Sequence, residues 1–207
     1  MKIGFVIYNG MTSLDFVGVY EAVTRLKTMG FIPNLEWDIC AMTPQVSDGN
    51  GLQLTPTRVG EALDDFDMVI VPGGFHTRIL EEDSRFISWL RTAAPCKYKV
   101  SVCTGAVLLG AAGFLEGRRA TTHPTAMHEL RRYAAAVIDQ RIVEDGGVIT
   151  AGGATASIDL GLYLCEKLAG RPAAEAIRRQ MDYQPGVLAA VEPGEATYSP
   201  RSATVRR

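Results

Sequence analysis

Val100-Ser101-Val102-Cys103-Thr104-Gly105 leads without a break into Ala106-Val107-Leu108-Leu109-Gly110-Ala111-Ala112. The first part reads as a short strand and the second as an apolar helix, so the chain switches from one to the other at a cysteine. Strand, nucleophile-capable side chain, helix is the plan of a nucleophile elbow. Ser101 and Gly105, two residues to either side, supply the small neighbours that so tight a turn needs, which makes the stretch a cysteine analogue of G-x-S-x-G. A lone cysteine is ordinarily a small buried hydrophobe. Here the flanking residues point instead to a reactive thiol. The helix N-terminus is expected to lower its pKa and favour the thiolate.

Working outward, the same strand-to-helix alternation recurs. Lys2 to Tyr8 is a continuous apolar run ending at Asn9-Gly10, as in a strand buried on both faces of a parallel sheet. A helix follows, with Ser13 as expected N-cap and Leu14, Val17, Val19, Val23 and Leu26 along it. Asp15 falls in its first turn, close to the preceding strand end. An acidic residue there ordinarily offsets the helix dipole. Leu35 to Met42 reads as a second strand, Ser47 to Gly51 as a turn between short β runs, and Glu61 to Asp64 as a brief helix.

Met68-Val69-Ile70-Val71 is another buried strand, stopping at Pro72-Gly73-Gly74-Phe75. Paired glycines after a parallel strand let backbone approach a ligand and present N–H groups as an oxyanion hole, although a plain β–α turn uses them too. His76 beside them is more often an exposed loop histidine than a catalytic group. Thr77 to Ala94 has helical spacing and is closed by Pro95. Arg119 to Thr122 reads as a strand leading into His123-Pro124 and a further helix through Met127, Leu130 and Tyr133. His123, at a strand end, is a better functional candidate than His128 within the helix. Asp145-Gly146-Gly147 marks a hairpin, and two helices complete the pattern, one from Ala151 onward and one from Pro172 to about Met181.

This alternation gives an α/β domain with a mostly parallel central sheet and helices on both faces. Its carboxyl edge collects Asp15, Gly73, Gly74, Cys103 and His123. One domain over residues 1–190 is expected. Residues 191–207, rich in proline, serine and charge, read as a mobile tail.

Composition narrows the function. With 207 residues, 47% of them hydrophobic, the chain can bury one large core. A net charge of −2 without a basic stripe makes nucleic acid an unsuitable partner and favours a small-molecule substrate. No apolar run reaches the roughly 20 residues of a membrane span. Met1 to Ile7 reads as strand rather than signal peptide, so a cytoplasmic protein without a membrane partner is expected. Cys40, Cys96, Cys103 and Cys165 are too far apart for a C-x-x-C pair, and Cys40 and Cys165 read as core. No metal site is expected.

Val71-Pro72-Gly73-Gly74, Ser101-Val102-Cys103-Thr104-Gly105 and Ala120-Thr121-Thr122-His123-Pro124, in that order and spacing, resemble the DJ-1/PfpI superfamily over residues 2 to 185. That resemblance implies a flavodoxin-like three-layer sandwich, a homodimer, and contact between an acidic residue on the first helix and the cysteine. Leu14-Asp15-Phe16-Val17-Gly18 matches that position. Asp15 in place of glutamate and Thr104 in place of histidine make the chain most similar to the isonitrile hydratase branch. The missing Cys-His-Gly sets it apart from the peptidase-like branch. Related regulators carry a C-terminal helix-turn-helix module, and none is expected within these 207 residues.

The implied activity is a cysteine-dependent hydro-lyase reaction needing no cofactor. Cys103 is the nucleophile, Asp15 the acid–base, Thr104 a catalytic residue that orients substrate or water, and Gly73, Gly74 and Thr104 backbone N–H groups stabilise charge. Phe75, His76 and His123 are candidate pocket residues. Two alternatives stay open, a glyoxalase-like enzyme acting on 2-oxoaldehydes and a redox sensor in which Cys103 is oxidised.

Overall fold

The computed structural model describes residues 1–184, and the expected tail at 191–207 and the end of the expected domain lie outside them. Strand β1 (Lys2–Val6) is followed by helix α1 (Ser13–Thr28) and strand β2 (Glu36–Ala41). A small antiparallel pair, β3 (Val46–Ser47) and β4 (Gln53–Leu54), flanks the expected glycine turn. Strands β5 (Arg58–Val59) and β6 (Met68–Val71) lead to helices α2 (Thr77–Leu80) and α3 (Ser84–Arg91). Then come β7 (Tyr98–Val102), α4 (Gly105–Ala111), β8 (Arg119–Ala120), a 3-10 turn over Pro124–Ala126, and α5 (Met127–Leu130). Strands β9 (Ala136–Val137), β10 (Ile142–Asp145) and β11 (Val148–Ala151) precede α6 (Ala156–Ala169) and α7 (Arg171–Gln180).

The main sheet has the order β10-β11-β7-β6-β1-β2-β5, and every neighbouring pair except β10 with β11 is parallel. Helices α1, α6 and α7 pack together as one layer, and α2 to α5 form the other. The central strands are apolar because both faces are covered: Met68, Val69, Ile70 and Val71 are all buried, as are Ile3, Phe5 and Val6. From β1 the chain crosses to β2 and β5 on one side, then returns past β1 to β6 on the other. The crevice at that reversal is where open α/β sheets bind ligands. The segments after β1, β6 and β7 all emerge there.

Four local expectations are corrected. Glu61 to Asp64 is not helical, because side chains of α3 and of Thr92 just beyond it take its backbone groups: Trp89 Nε1 donates to Glu61 O (2.7 Å) and Leu63 N donates to Thr92 Oγ1 (2.8 Å). The helical spacing over Thr77 to Ala94 is two helices. Asp83 starts the second by accepting from Arg85 N and Phe86 N. Arg119 to Thr122 supplies only a two-residue strand, paired with β9 outside the main sheet. Ser13 is the first residue of α1 rather than its cap, and it donates its hydroxyl to Asp48 Oδ2. The hairpin at Asp145 to Gly147 forms as read, between β10 and β11.

Candidate active site

Cys103 stands between β7 and α4 with φ of 55°, a left-handed conformation that non-glycine residues seldom adopt. The surroundings over-determine it. Cys103 N–H donates to Ala151 O (3.0 Å) and Gly152 O (2.7 Å), and its carbonyl accepts from Thr122 Oγ1 (2.8 Å). The elbow then packs directly on the loop after β6. A Cβ on Gly105 would lie 2.3 Å from Val71 O, and one on Gly73 would lie 2.5 Å from Thr104 N, so neither position tolerates a side chain.

Asp15 enters from the first turn of α1 and is 0% exposed. Gly73 N–H donates to its Oδ2 (2.9 Å), while Oδ1 is buried without a hydrogen-bond partner. The Cys103 thiol is close enough that each group moves the other's titration, although no complete hydrogen bond joins them. Burial pushes the Asp15 carboxyl up to about 6, against the pull of the Gly73 N–H and the thiol. Burial, and then the Asp15 charge, push Cys103 up to about 12, against the Thr104 N–H and hydroxyl. The lowered thiol pKa expected from the elbow is therefore corrected. Helix α4 has only seven residues, and its dipole does not offset desolvation and an adjacent carboxylate. Burial thus opposes ionisation of both groups, and their proximity opposes a double negative charge.

The oxyanion expectation is corrected in part. Gly73 N–H is committed to Asp15, and Gly74 N–H donates to Thr104 Oγ1 (2.9 Å). Of the three N–H groups foreseen, that of Thr104 lies beside the sulfur. The Thr104 hydroxyl lies 3.1 Å from Gly74 O as donor, so it latches the glycine loop to the elbow instead of standing free for substrate or water.

Cys103 and Thr104 open onto a cleft of about 180 Å³ that Gly74, Phe75 and His123 also line. Phe75 is 82% exposed at its rim. The His123 Nδ1 accepts from Thr125 N (3.2 Å) and sits 2.8 Å from Thr125 Oγ1, so the neutral ring carries its proton on Nε2. His76 is elsewhere. It lines a separate cavity of about 280 Å³ with Tyr8, Asn9 and Asp83, its ring held against Gly10. Sequence reasoning missed Thr12, Arg78, Thr125 and Ala154 in the cleft wall. Arg78 pairs with Glu129 (2.8 Å), a contact 51 residues apart that no local pattern signals. Among the described residues no cluster of three His, Cys, Asp or Glu side chains is disposed to hold a metal ion, and no helix is long and apolar enough to cross a membrane.

Residues 1–167 match the model of the DJ-1/PfpI family. An isonitrile hydratase from Pseudomonas putida is 38% identical over 187 residues, covering 89% of this chain and 79% of that protein. The crystal structure of a ThiJ/PfpI family protein from Pseudomonas syringae is similar with a TM-score of 0.81 at 31% identity, covering 89% of this chain and 75% of that one. Drosophila melanogaster DJ-1beta shares the fold, with a TM-score of 0.75 at 20% identity over 88% of this chain and 98% of its own.

Proposed function

The chain belongs to the DJ-1/PfpI family, and from that premise we propose that it hydrates isonitriles, R–N≡C, to N-substituted formamides, R–NH–CHO. The observation that carries this reading is the pairing of a buried carboxyl, one oxygen of which has no partner, with a thiol at the floor of a small cleft. The 38% identity to an isonitrile hydratase over most of both chains supports it.

An isonitrile's terminal carbon accepts a nucleophile and then a proton. Asp15, ionised above about pH 6, takes the proton from Cys103 as sulfur attacks that carbon, then returns it to the same carbon. The product is a thioimidate, Cys103–S–CH=N–R. Asp15, a carboxylate again, removes a proton from water as it adds to the thioimidate carbon and passes that proton to the nitrogen. The tetrahedral adduct Cys103–S–CH(OH)–NH–R gives its hydroxyl proton to Asp15 and expels sulfur, and Asp15 returns that proton to the thiolate, which leaves R–NH–CHO and restores the thiol. Charge on the departing sulfur is met by the Thr104 N–H. Asp15 is fully buried beside the sulfur rather than across the cleft from it, so protons reach the adduct along the cysteine side.

The test is turnover of alkyl and aryl isonitriles by the purified chain, with formamide as the measured product and Cys103→Ser as the blank. No formamide from any of them, with methylglyoxal converted to lactate, overturns the reading in favour of the glyoxalase-like alternative. We also propose that the protein works as a homodimer in the cytoplasm. Sedimentation at micromolar concentration should return about twice the chain's 22.4 kDa, and a monomer refutes the dimer.

A further inference from the structure

We infer that Tyr8 is a positioning residue for Asp15, acting through the single peptide group that joins Pro72 to Gly73. The inference rests on the role proposed for the Asp15–Cys103 pair and not on which substrate that pair takes. Tyr8 lies two residues past β1, is 5% exposed, and is held edge-on against Phe86 with ring centroids 5.8 Å apart. Its hydroxyl donates to Pro72 O at 2.8 Å, and among the described residues that carbonyl has no other donor. The N–H on the other side of the same planar peptide is that of Gly73, which donates to Asp15 Oδ2 at 2.9 Å.

The two bonds form one chain: phenol to carbonyl, across the peptide, amide to carboxylate. A donor on the carbonyl oxygen draws electron density from the nitrogen and makes its N–H a stronger donor, so each bond reinforces the other. The phenol therefore favours the ionised form of Asp15 without touching it, partly offsetting the burial that opposes ionisation. Burial, with Asp15 and Cys103 nearby, holds Tyr8 well above its usual range, so it remains a protonated donor wherever the enzyme works. Among the described residues the ionisable side chains facing Asp15 are Cys103, from the elbow, and Tyr8 itself.

The experiment is an NMR titration of the Asp15 carboxyl carbon in uniformly folded protein, assigned by its disappearance in Asp15→Asn. Tyr8→Phe, which keeps the ring and removes the donor, should raise the Asp15 titration by roughly half a pH unit and move the Gly73 amide proton upfield. Placing 3-fluorotyrosine at position 8, a stronger donor of nearly the same shape, should move both signals the opposite way. A purely structural role would lower stability or rate and leave the titration in place. An unmoved Asp15 titration, or one that falls in Tyr8→Phe, overturns the inference. If the titration moves as expected while isonitriles are not turned over, the hydratase reading fails and the assignment of Tyr8 stands.

Discussion

Cys103 and Asp15 illustrate what side-chain chemistry can and cannot be read from order along the chain. The elbow residues and the acid were legible, since each follows a strand whose end the periodicity marks. The protonation state was not. Whether a helix terminus or burial dominates depends on how much of the thiol is covered, and Cys103 is 7% exposed with a carboxyl beside it. The commitments of Gly73 and Gly74 were equally hidden, because their partners lie 58 and 30 residues away. Two outcomes follow at this scale. With Asp15 acting as the proposed base toward the Cys103 thiol, kcat/KM should rise as pH passes through about 6 and then stay level to well above neutrality. A rate that instead falls through pH 6 would mean that the acid form of Asp15 is the one required. Asp15→Asn should cost at least about 10²-fold in kcat, and a loss of less than tenfold would exclude Asp15 as the proton carrier.

At the scale of elements, the long buried strands were the most legible because both faces demand apolar residues, whereas the helices over Thr77 to Ala94 were merged by a shared spacing that Asp83 interrupts. Strand β8 could not be placed by pattern, since its partner β9 is set by tertiary contact. The element that matters most for the proposed chemistry is α1, which carries Asp15 and packs against α6. A Cβ on Gly18 would lie 2.0 Å from Ser157 Oγ and 2.8 Å from Ser157 Cβ, so that helix pair has no room for a side chain there. Gly18→Val should push α1 away from α6. Overpacking of this kind costs about 1–3 kcal/mol, and the shift should displace Asp15, three residues earlier. The expected signature is a lowered midpoint in urea together with a loss of kcat larger than the loss of folded protein accounts for. Unchanged activity in the folded fraction would show that α1 yields without moving the carboxyl.

For the molecule as a whole, the role proposed for the buried carboxyl would link catalysis to stability. The ordinary value of Asp15 is 3.8 and burial raises it to about 6 in the folded protein. Below pH 4 the group is neutral in both folded and unfolded chains, and the favourable burial of the neutral form is retained. As pH rises from 4 to 6 the unfolded chain ionises first and is stabilised by releasing its proton, so stability falls over that window. Above 6 both forms are ionised and the loss is complete, about 3 kcal/mol for a shift of about two units. Other carboxyls work in the opposite direction, since Asp65, Glu144 and Glu175 are lowered by their Lys or Arg partners and lose their contribution as pH falls. The total pH dependence therefore mixes both signs, and only the difference between wild type and Asp15→Asn isolates the buried group. Asparagine keeps an oxygen for the Gly73 N–H but never has to ionise. Asp15→Asn should thus melt above wild type at pH 8, by roughly 6–12 °C for a protein of this size, with the gap closing by pH 4. The substitution that removes turnover should be the one that stabilises the fold, and an Asn variant that is less stable at pH 8, or a gap independent of pH, would show that Asp15 is not held in the folded protein at the cost of its charge.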